Sequence, residues 1–266
     1  MNRIINIASN QELYTLEIKS KLINMLNDKG FTCYQNFNPK AELIITIGGD
    51  GAFLRAVRDS DFSGIPFVGI NTGTLGFFPE IKPENLEMFI ENYKNKNYAI
   101  DEINLIECEI INDSNVTKLY AVNDIVIKRK DMKTIHLEVF IDSNHLETIS
   151  GDGIIISSPM GSSAYNFSAG GSLVYPSLKT LQITPLSPII SNAYRCLNCS
   201  VIVPPEFEVK ILTEKYNDCY IAFLADGVAY EICQTESAKF HTSKKTIKRL
   251  ITDNYNYWSV IKEKFL

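Results

Sequence analysis

No long apolar run, no phosphate-loop lysine motif and no cysteine framework occur in this chain of 266 residues, and each absence removes a class of protein. Without some ~18 consecutive apolar residues, no membrane-spanning helix is expected. The opening Met1-Asn2-Arg3-Ile4-Ile5-Asn6-Ile7 is too short and too quickly polar for a signal peptide. No G-x-x-x-x-G-K-[ST] is present, which excludes a P-loop enzyme. Gly49 and Gly51 begin a G-x-G-x-x-G, but Leu54 holds the third glycine position, so the dinucleotide fingerprint fails. The six cysteines are scattered. Cys196 and Cys199 make one C-x-x-C, and His136, His145 and His241 lie far from it in sequence. Reduced thiols are expected there, with no metal site. A net charge of -5 argues against nucleic-acid and anionic-membrane partners. The basic run Lys244-Lys245-Thr246-Ile247-Lys248-Arg249 reads as the solvated face of a late strand. These exclusions leave a cytoplasmic protein.

What is present is ordinary globular material, with 45% hydrophobic and 21% charged residues, enough chain for one large domain or two moderate ones. Over the first hundred residues strands alternate with helices. Ile4–Ile7 reads as a strand, and Ser9 and Asn10 as caps for a helix with Leu13, Leu16, Ile23 and Leu26 inward, stopped by Gly30. Strands follow at 31–34, 43–47 and 65–70, then a helix from Pro83-Glu84 to about Lys94. This alternation predicts a parallel, Rossmann-like sheet covered by helices on both faces, with ligands beyond the carboxyl ends of its strands. Beyond Tyr98–Asp101 the runs are short and rich in β-branched residues: 105–111, 119–128, 136–141, 154–157, 201–203, 207–212, 219–224 and 229–233. They predict an all-β, sandwich-like domain. The expected division is therefore 1–100, 101–250 and a tail 251–266. In that tail Trp258, Ile261 and Phe265 share one helix face that packs back on the first domain.

The most informative stretch is Thr46-Ile47-Gly48-Gly49-Asp50-Gly51-Ala52-Phe53-Leu54. A buried strand ending in glycines and opening a helix leaves amide hydrogens uncovered, and these favour a phosphate. A carboxylate repels phosphate, so Asp50 reads as a base, as a ligand for a metal accompanying the phosphate, or as a helix N-cap. The segment 71–77 also falls at a strand end, where it can share a crevice with Asp50. In the β half, Gly151-Asp152-Gly153 leads into a strand and then Ser157-Ser158-Pro159-Met160-Gly161-Ser162-Ser163-Ala164-Tyr165-Asn166-Phe167-Ser168-Ala169-Gly170-Gly171. Small hydroxyls admit a flat ligand and supply donors to its edge, and tyrosine offers a stacking face. A plain Ser/Gly-rich loop is the alternative.

In order, Gly48-Gly49-Asp50-Gly51, Asn71-x-Gly73-x-Leu75-Gly76-Phe77, Asn123-Asp124, the 152–171 stretch and Asp226-Gly227 resemble the NAD kinase family. The resemblance implies a diacylglycerol-kinase-like first domain. It also implies phosphoryl transfer from ATP, or in some members polyphosphate, to the 2'-hydroxyl of the adenosine ribose of NAD. A divalent cation such as Mg2+ would accompany the donor. Asp50 matches the catalytic base and a contact to NAD, and Gly48, Gly49 and Gly51 the phosphate-donor loop, with Gly51 also beside NAD. Asn123 and Asp124 match the pair that holds the ribose, and Phe77, Ser163, Ala164, Tyr165 and Ser168 the adenine pocket. Asp152 matches the residue bonding the nicotinamide amide. Tyr194 matches a residue reaching a neighbouring subunit's site, which implies a homodimer or homotetramer. The chain departs from the family pattern at Ala52 (usually threonine), Asp124 (usually glutamate), Met160 (commonly threonine or serine), Ser163 (threonine) and Ser150 (often arginine). Asp124 and Ser163 keep the chemistry, while Ala52 and Met160 bear on donor contacts and turnover. The competing readings are a non-catalytic NAD or NADP sensor of the same fold and a lipid kinase sharing the aspartate turn. The polar 157–168 run argues against the second.

Overall fold

The computed structural model describes residues 3–73, 76–112, 115–192, 194–213, 221–252 and 255–266. Leu75 of the 71–77 motif, Ala193 beside Tyr194, and the first two residues of the expected 219–224 strand lie outside the described residues. The chain forms two compact units, Met1–Ile103 with Thr246–Leu266, and Asn104–Lys245.

The first unit is α/β. Its strands β1 (Arg3–Ser9), β2 (Phe31–Tyr34), β3 (Leu43–Ile47) and β4 (Phe67–Ile70) are all parallel, in the order β2-β1-β3-β4. β5 (Pro79–Ile81) adds to β4, also in parallel. Every residue of β3 is buried, as expected of a parallel strand covered on both faces. Helix α1 (Leu13–Asp28) buries Thr15, Ile18, Leu22 and Leu26. Steps of three and four from Thr15 define that stripe, so Leu13 falls outside it and stands in solvent, contrary to the expected set. Helix α2 (Asp50–Asp59) buries Phe53, Ala56 and Val57. Phe53 stacks on Phe78 at 4.5 Å and tilts against Phe67 at 5.6 Å. Helix α3 (Leu86–Lys94) follows a short turn of 3-10 helix that begins at Pro83.

The second unit is antiparallel. β6 (Ala99–Asn112) carries the chain into it, followed by β7 (Asn115–Ala121), β8 (Asp124–Arg129), β9 (Ile135–Ile141), β10 (Asn144–Gly151) and β11 (Gly153–Ser157). After a short helix α4 (Tyr165–Ser168) come β12 (Leu181–Leu186), β13 (Val201–Val203), β14 (Val209–Thr213), β15 (Ile221–Ala225), β16 (Val228–Glu231) and β17 (Thr235–Ile251), which returns the chain to the first unit. Six strands pair as β13-β12-β11-β8-β15-β16, and β10-β9-β14-β17 form the facing sheet. Ile127, Ile154 and Phe223 from one sheet and Leu137, Ile211 and Phe240 from the other share one core. That packing makes the unit a sandwich. The expected single run 119–128 is two strands, interrupted at Val122 and Asn123, whose amides bond a side chain instead of a neighbouring strand. Among the described cysteines Cys33, Cys108, Cys196 and Cys199 are free thiols, while Cys233 is disulfide-bonded, against the expectation of reduced thiols throughout.

The chain ends in helix α5 (Tyr257–Phe265), capped by Asn256, whose Oδ1 accepts from the Ser259 amide at 3.1 Å. Within the first unit its Tyr257 and Phe265 rings meet Phe77 at 6.1 and 6.2 Å. The inward face is Tyr257 and Ile261, whereas Trp258, expected inward, is 60% exposed. Among the described residues no helix is long and apolar enough to cross a membrane.

Phe53→Ala should lower the stability of the protein by roughly 3–5 kcal/mol, because a stacked, fully buried ring leaves a cavity. Trp258→Ala should change it by about 1 kcal/mol or less. Denaturant midpoints of the two variants check both figures.

Candidate active site

The glycine turn joins β3 to α2 as the apolar pattern predicts. Gly48 has φ +145 and donates its amide to the Ile70 carbonyl at 2.9 Å; a side chain there would meet the Ala52 Cβ at 2.7 Å. Gly49 and Gly51 have open space where a side chain would stand, so a ligand can reach their backbone. Asp50 begins α2, at the positive end of the helix dipole.

Two backbone amides hold the Asp50 carboxylate. Phe77 and Phe78 donate to Oδ1 at 2.8 and 3.0 Å. Gly76 precedes them, and a Cβ on it would come within 2.5 Å of that same oxygen. The segment is anchored from behind by Arg249, whose Nη1 donates to the Phe77 carbonyl at 3.0 Å and Nη2 to Asp101 at 2.8 Å. Arg249 is 1% exposed, which corrects the reading of the 244–249 run as a solvated face: Lys244 faces solvent, but Arg249 shares the inward register of Ile247, two residues before it. Asp50 Oδ2 has a different partner, the Lys264 ammonium at 3.4 Å. Asp50, Gly48, Gly49, Gly51 and Phe77 thus come together, with Phe77 buried beneath α5.

In the second unit Asn123 and Asp124 stand where β8 begins. The amides of Val122 and Asn123 donate to the two oxygens of Asp226 at 2.8 and 2.7 Å. The Asp226 amide returns to the Asp124 carbonyl at 3.0 Å. Asp226 sits at φ +47 before Gly227, in the turn between β15 and β16. Asp124 is 6% exposed. Burial, and then the charge of Asp226, push its carboxyl up to about 7. Asn123 Oδ1 is buried with no hydrogen-bond partner, an acceptor that a bound hydroxyl or amine would satisfy.

The serine run is tied to this pair. Ser158 donates its amide to the Asn123 carbonyl at 2.8 Å and its hydroxyl to that of Val122 at 2.6 Å. Ser163 is buried in the turn that follows, Ala164 is half-buried, and Tyr165 and Ser168 are exposed. The Tyr165 hydroxyl accepts from Lys128 at 2.7 Å. The turn at Gly161 thus lies against the Asn123 backbone, a Cβ on Gly161 meeting the Asn123 carbonyl, while Tyr165 reaches Lys128 four residues along β8 and Ser168 ends α4.

Asp152 is exposed just before β11, at the opposite end of that strand from Ser157, where Gly153 pairs with Lys128. Tyr194 belongs to that other end as well. Its exposed ring stacks on His136 at 6.0 Å, and His136 Nδ1 lies 2.7 Å from Ser150 Oγ, two residues before Asp152. Sequence reasoning missed Arg249, Lys264, Lys128 and the role of Asp226 as an amide acceptor. The two-residue register with Ile247 was a signal for Arg249; nothing local marks Lys264.

A parallel α/β unit bearing an Asp-centred glycine turn, followed by an antiparallel sandwich, fits a kinase that takes its phosphate donor at the turn, and comparison with known proteins narrows it. The model of the ATP-NAD kinase N-terminal domain matches residues 7–98, and that of the ATP-NAD kinase C-terminal domain residues 122–251. An NAD kinase of Finegoldia magna is 44% identical over 269 residues, covering 100% of this chain and 98% of that protein. An NAD kinase of Sulfurimonas denitrificans is 31% identical over 254 residues, covering 94% and 87%. Among solved structures, a yeast NADH kinase complexed with NADH superposes with TM-score 0.85 at 20% identity, over 99% of this chain and 87% of that one. An NAD kinase from Archaeoglobus fulgidus in complex with ATP gives 0.79 at 21% identity, over 98% and 99%. The chain belongs to the NAD kinase family.

Because Asp124 holds its proton to about pH 7 when folded but only to about pH 4 when unfolded, the unfolded state binds fewer protons between those values. Stability should fall across that window as pH rises, by on the order of a few kcal/mol, and level off above it. Asp124→Asn removes the group, so its thermal midpoint should lose that decline and gain on wild type between pH 5 and 8. Parallel midpoint curves for the two proteins would contradict the assignment.

Proposed function

We propose that this chain is an NAD kinase that transfers the terminal phosphoryl group of ATP, or of polyphosphate, to the 2'-hydroxyl of the adenosine ribose of NAD. Asp50 is the general base. The observation that carries this reading is the division of its carboxylate: Oδ1 is committed to the Phe77 and Phe78 amides, while Oδ2 meets only the Lys264 ammonium, at 3.4 Å, and can take a proton. The 2'-oxygen forms its bond to the terminal phosphorus as the bond from that phosphorus to the bridging oxygen breaks. ADP leaves, and the hydroxyl proton passes to Oδ2. A positioned base of this kind contributes ~10²–10⁴-fold.

In this reading Gly48, Gly49 and Gly51 receive the donor's phosphates on their backbone. Asn123 and Asp124 hold the ribose, which is supported by the unpartnered Asn123 Oδ1. Ser163, Ala164, Tyr165 and Ser168 line the adenine. Asp152 bonds the nicotinamide amide. A divalent cation would come with the donor's phosphates, without a dedicated protein cage. That cation neutralises phosphate charge when bound. Tyr194, exposed on His136, is the residue we assign to a neighbouring subunit's site, in a homodimer or homotetramer in the cytoplasm.

Purified protein with NAD, ATP and Mg2+ should produce NADP, and a parallel reaction with polyphosphate reports donor range. Asp50→Asn should lower turnover by ~10²-fold or more with little change in the NAD dissociation constant, since the proton leaves only as the transition state forms. A helix-cap role predicts the reverse, preserved turnover with a stability change of ~1 kcal/mol or less.

A further inference from the structure

The terminal helix brings a cation to the base. Lys264 Nζ lies 3.4 Å from Asp50 Oδ2 and 4.6 Å from the centre of the Phe77 ring. The oxygen it meets is the one the two amides leave unused. The helix holding it is fixed at both ends, by the Asn256 cap and by Phe265 on Phe77. The ammonium is still held loosely. Its 3.4 Å separation is longer than the ~2.7–2.9 Å of a strong charge-assisted hydrogen bond, and its side chain is 32% exposed. An ammonium carries three donors on a flexible stem, and among the described residues its polar partner is Asp50.

A polyphosphate entering the glycine turn meets a carboxylate of its own sign. In the free protein Lys264 cancels that charge; with a donor bound, the same ammonium can turn toward the incoming phosphate without losing Asp50. We propose that Lys264 is the donor-binding cation of this site, neutralising Asp50 until the terminal phosphate of the donor arrives and then shared between the two. The proposal rests on the kinase reading above, but it concerns binding and can be tested without turnover.

Calorimetric titration with inorganic tripolyphosphate and with ATP–Mg2+ is the test, on wild type, Lys264→Met and Lys264→Arg. Methionine keeps the stem over Phe77 and removes the charge, so the thermal midpoint should hold. Tripolyphosphate binding should weaken by about tenfold or more in Lys264→Met, the scale of one charged contact, and Lys264→Arg should recover most of it. The KM for ATP should rise in parallel, while the NAD dissociation constant stays within about twofold of wild type. Equal tripolyphosphate affinity in wild type and Lys264→Met would overturn the inference, as would an arginine variant no better than methionine or a wild type that does not bind tripolyphosphate. A wild type that binds it with these differences but forms no NADP would support Lys264 and contradict the kinase reading.

Discussion

Two hydrogen bonds, from the Phe77 and Phe78 amides to one oxygen of Asp50, are the constraint on which the first unit's chemistry depends. They fix the carboxylate at the head of α2, and they decide which oxygen faces Lys264. Much of the surrounding packing serves to keep those amides in place. Phe53 on α2 stacks on Phe78, so helix and segment move together. Arg249 grips the Phe77 carbonyl from the buried side while Asp101 balances its charge. A buried guanidinium held by Asp101, the Phe77 carbonyl and the Tyr255 ring is a demanding arrangement, and losing Asp101 would remove its ion-pair partner. Gly76 supplies the clearance that lets the loop approach so closely.

The second unit uses the same device for a different end. Asp226 collects the amides of Val122 and Asn123 at the interruption between β7 and β8. Satisfying those amides with a side chain releases the chain from strand pairing there, where Asn123 Oδ1 is buried with no hydrogen-bond partner. The consequence is a second carboxylate, Asp124, buried beside the first and reluctant to ionise. Burial of this kind destabilises the fold at neutral pH. A bound ribose hydroxyl donating to Asp124 would offset part of that.

The α/β-then-β order was legible because it rests on local periodicity. The five buried residues of β3, the isoleucine run of β11 and the alternation in β9 reflect burial that each strand experiences directly. The glycine turn was legible because its backbone needs leave a mark in residue type. Strands β10, β12 and most of β17 were not anticipated; Pro185 interrupts the pattern of β12, and the lysines of β17 hide its length. Trp258 and Leu13 were assigned inward on hydrophobicity, whereas register decided otherwise. Arg249 and Lys264 act on the site from more than 170 positions downstream of their partners. Such pairings depend on how the chain folds back, and no spacing in the sequence encodes them.

The central claim is that Asp50 works by where its free oxygen is held, not by charge alone. Turnover and NAD binding of Asp50→Glu test this most directly, because glutamate keeps the charge and the basicity but moves the carboxylate out by one methylene. A misplacement of about 1 Å is enough to lose ~10²-fold in rate. The account predicts a loss of that size with NAD affinity nearly unchanged. Turnover close to wild type in Asp50→Glu would contradict it.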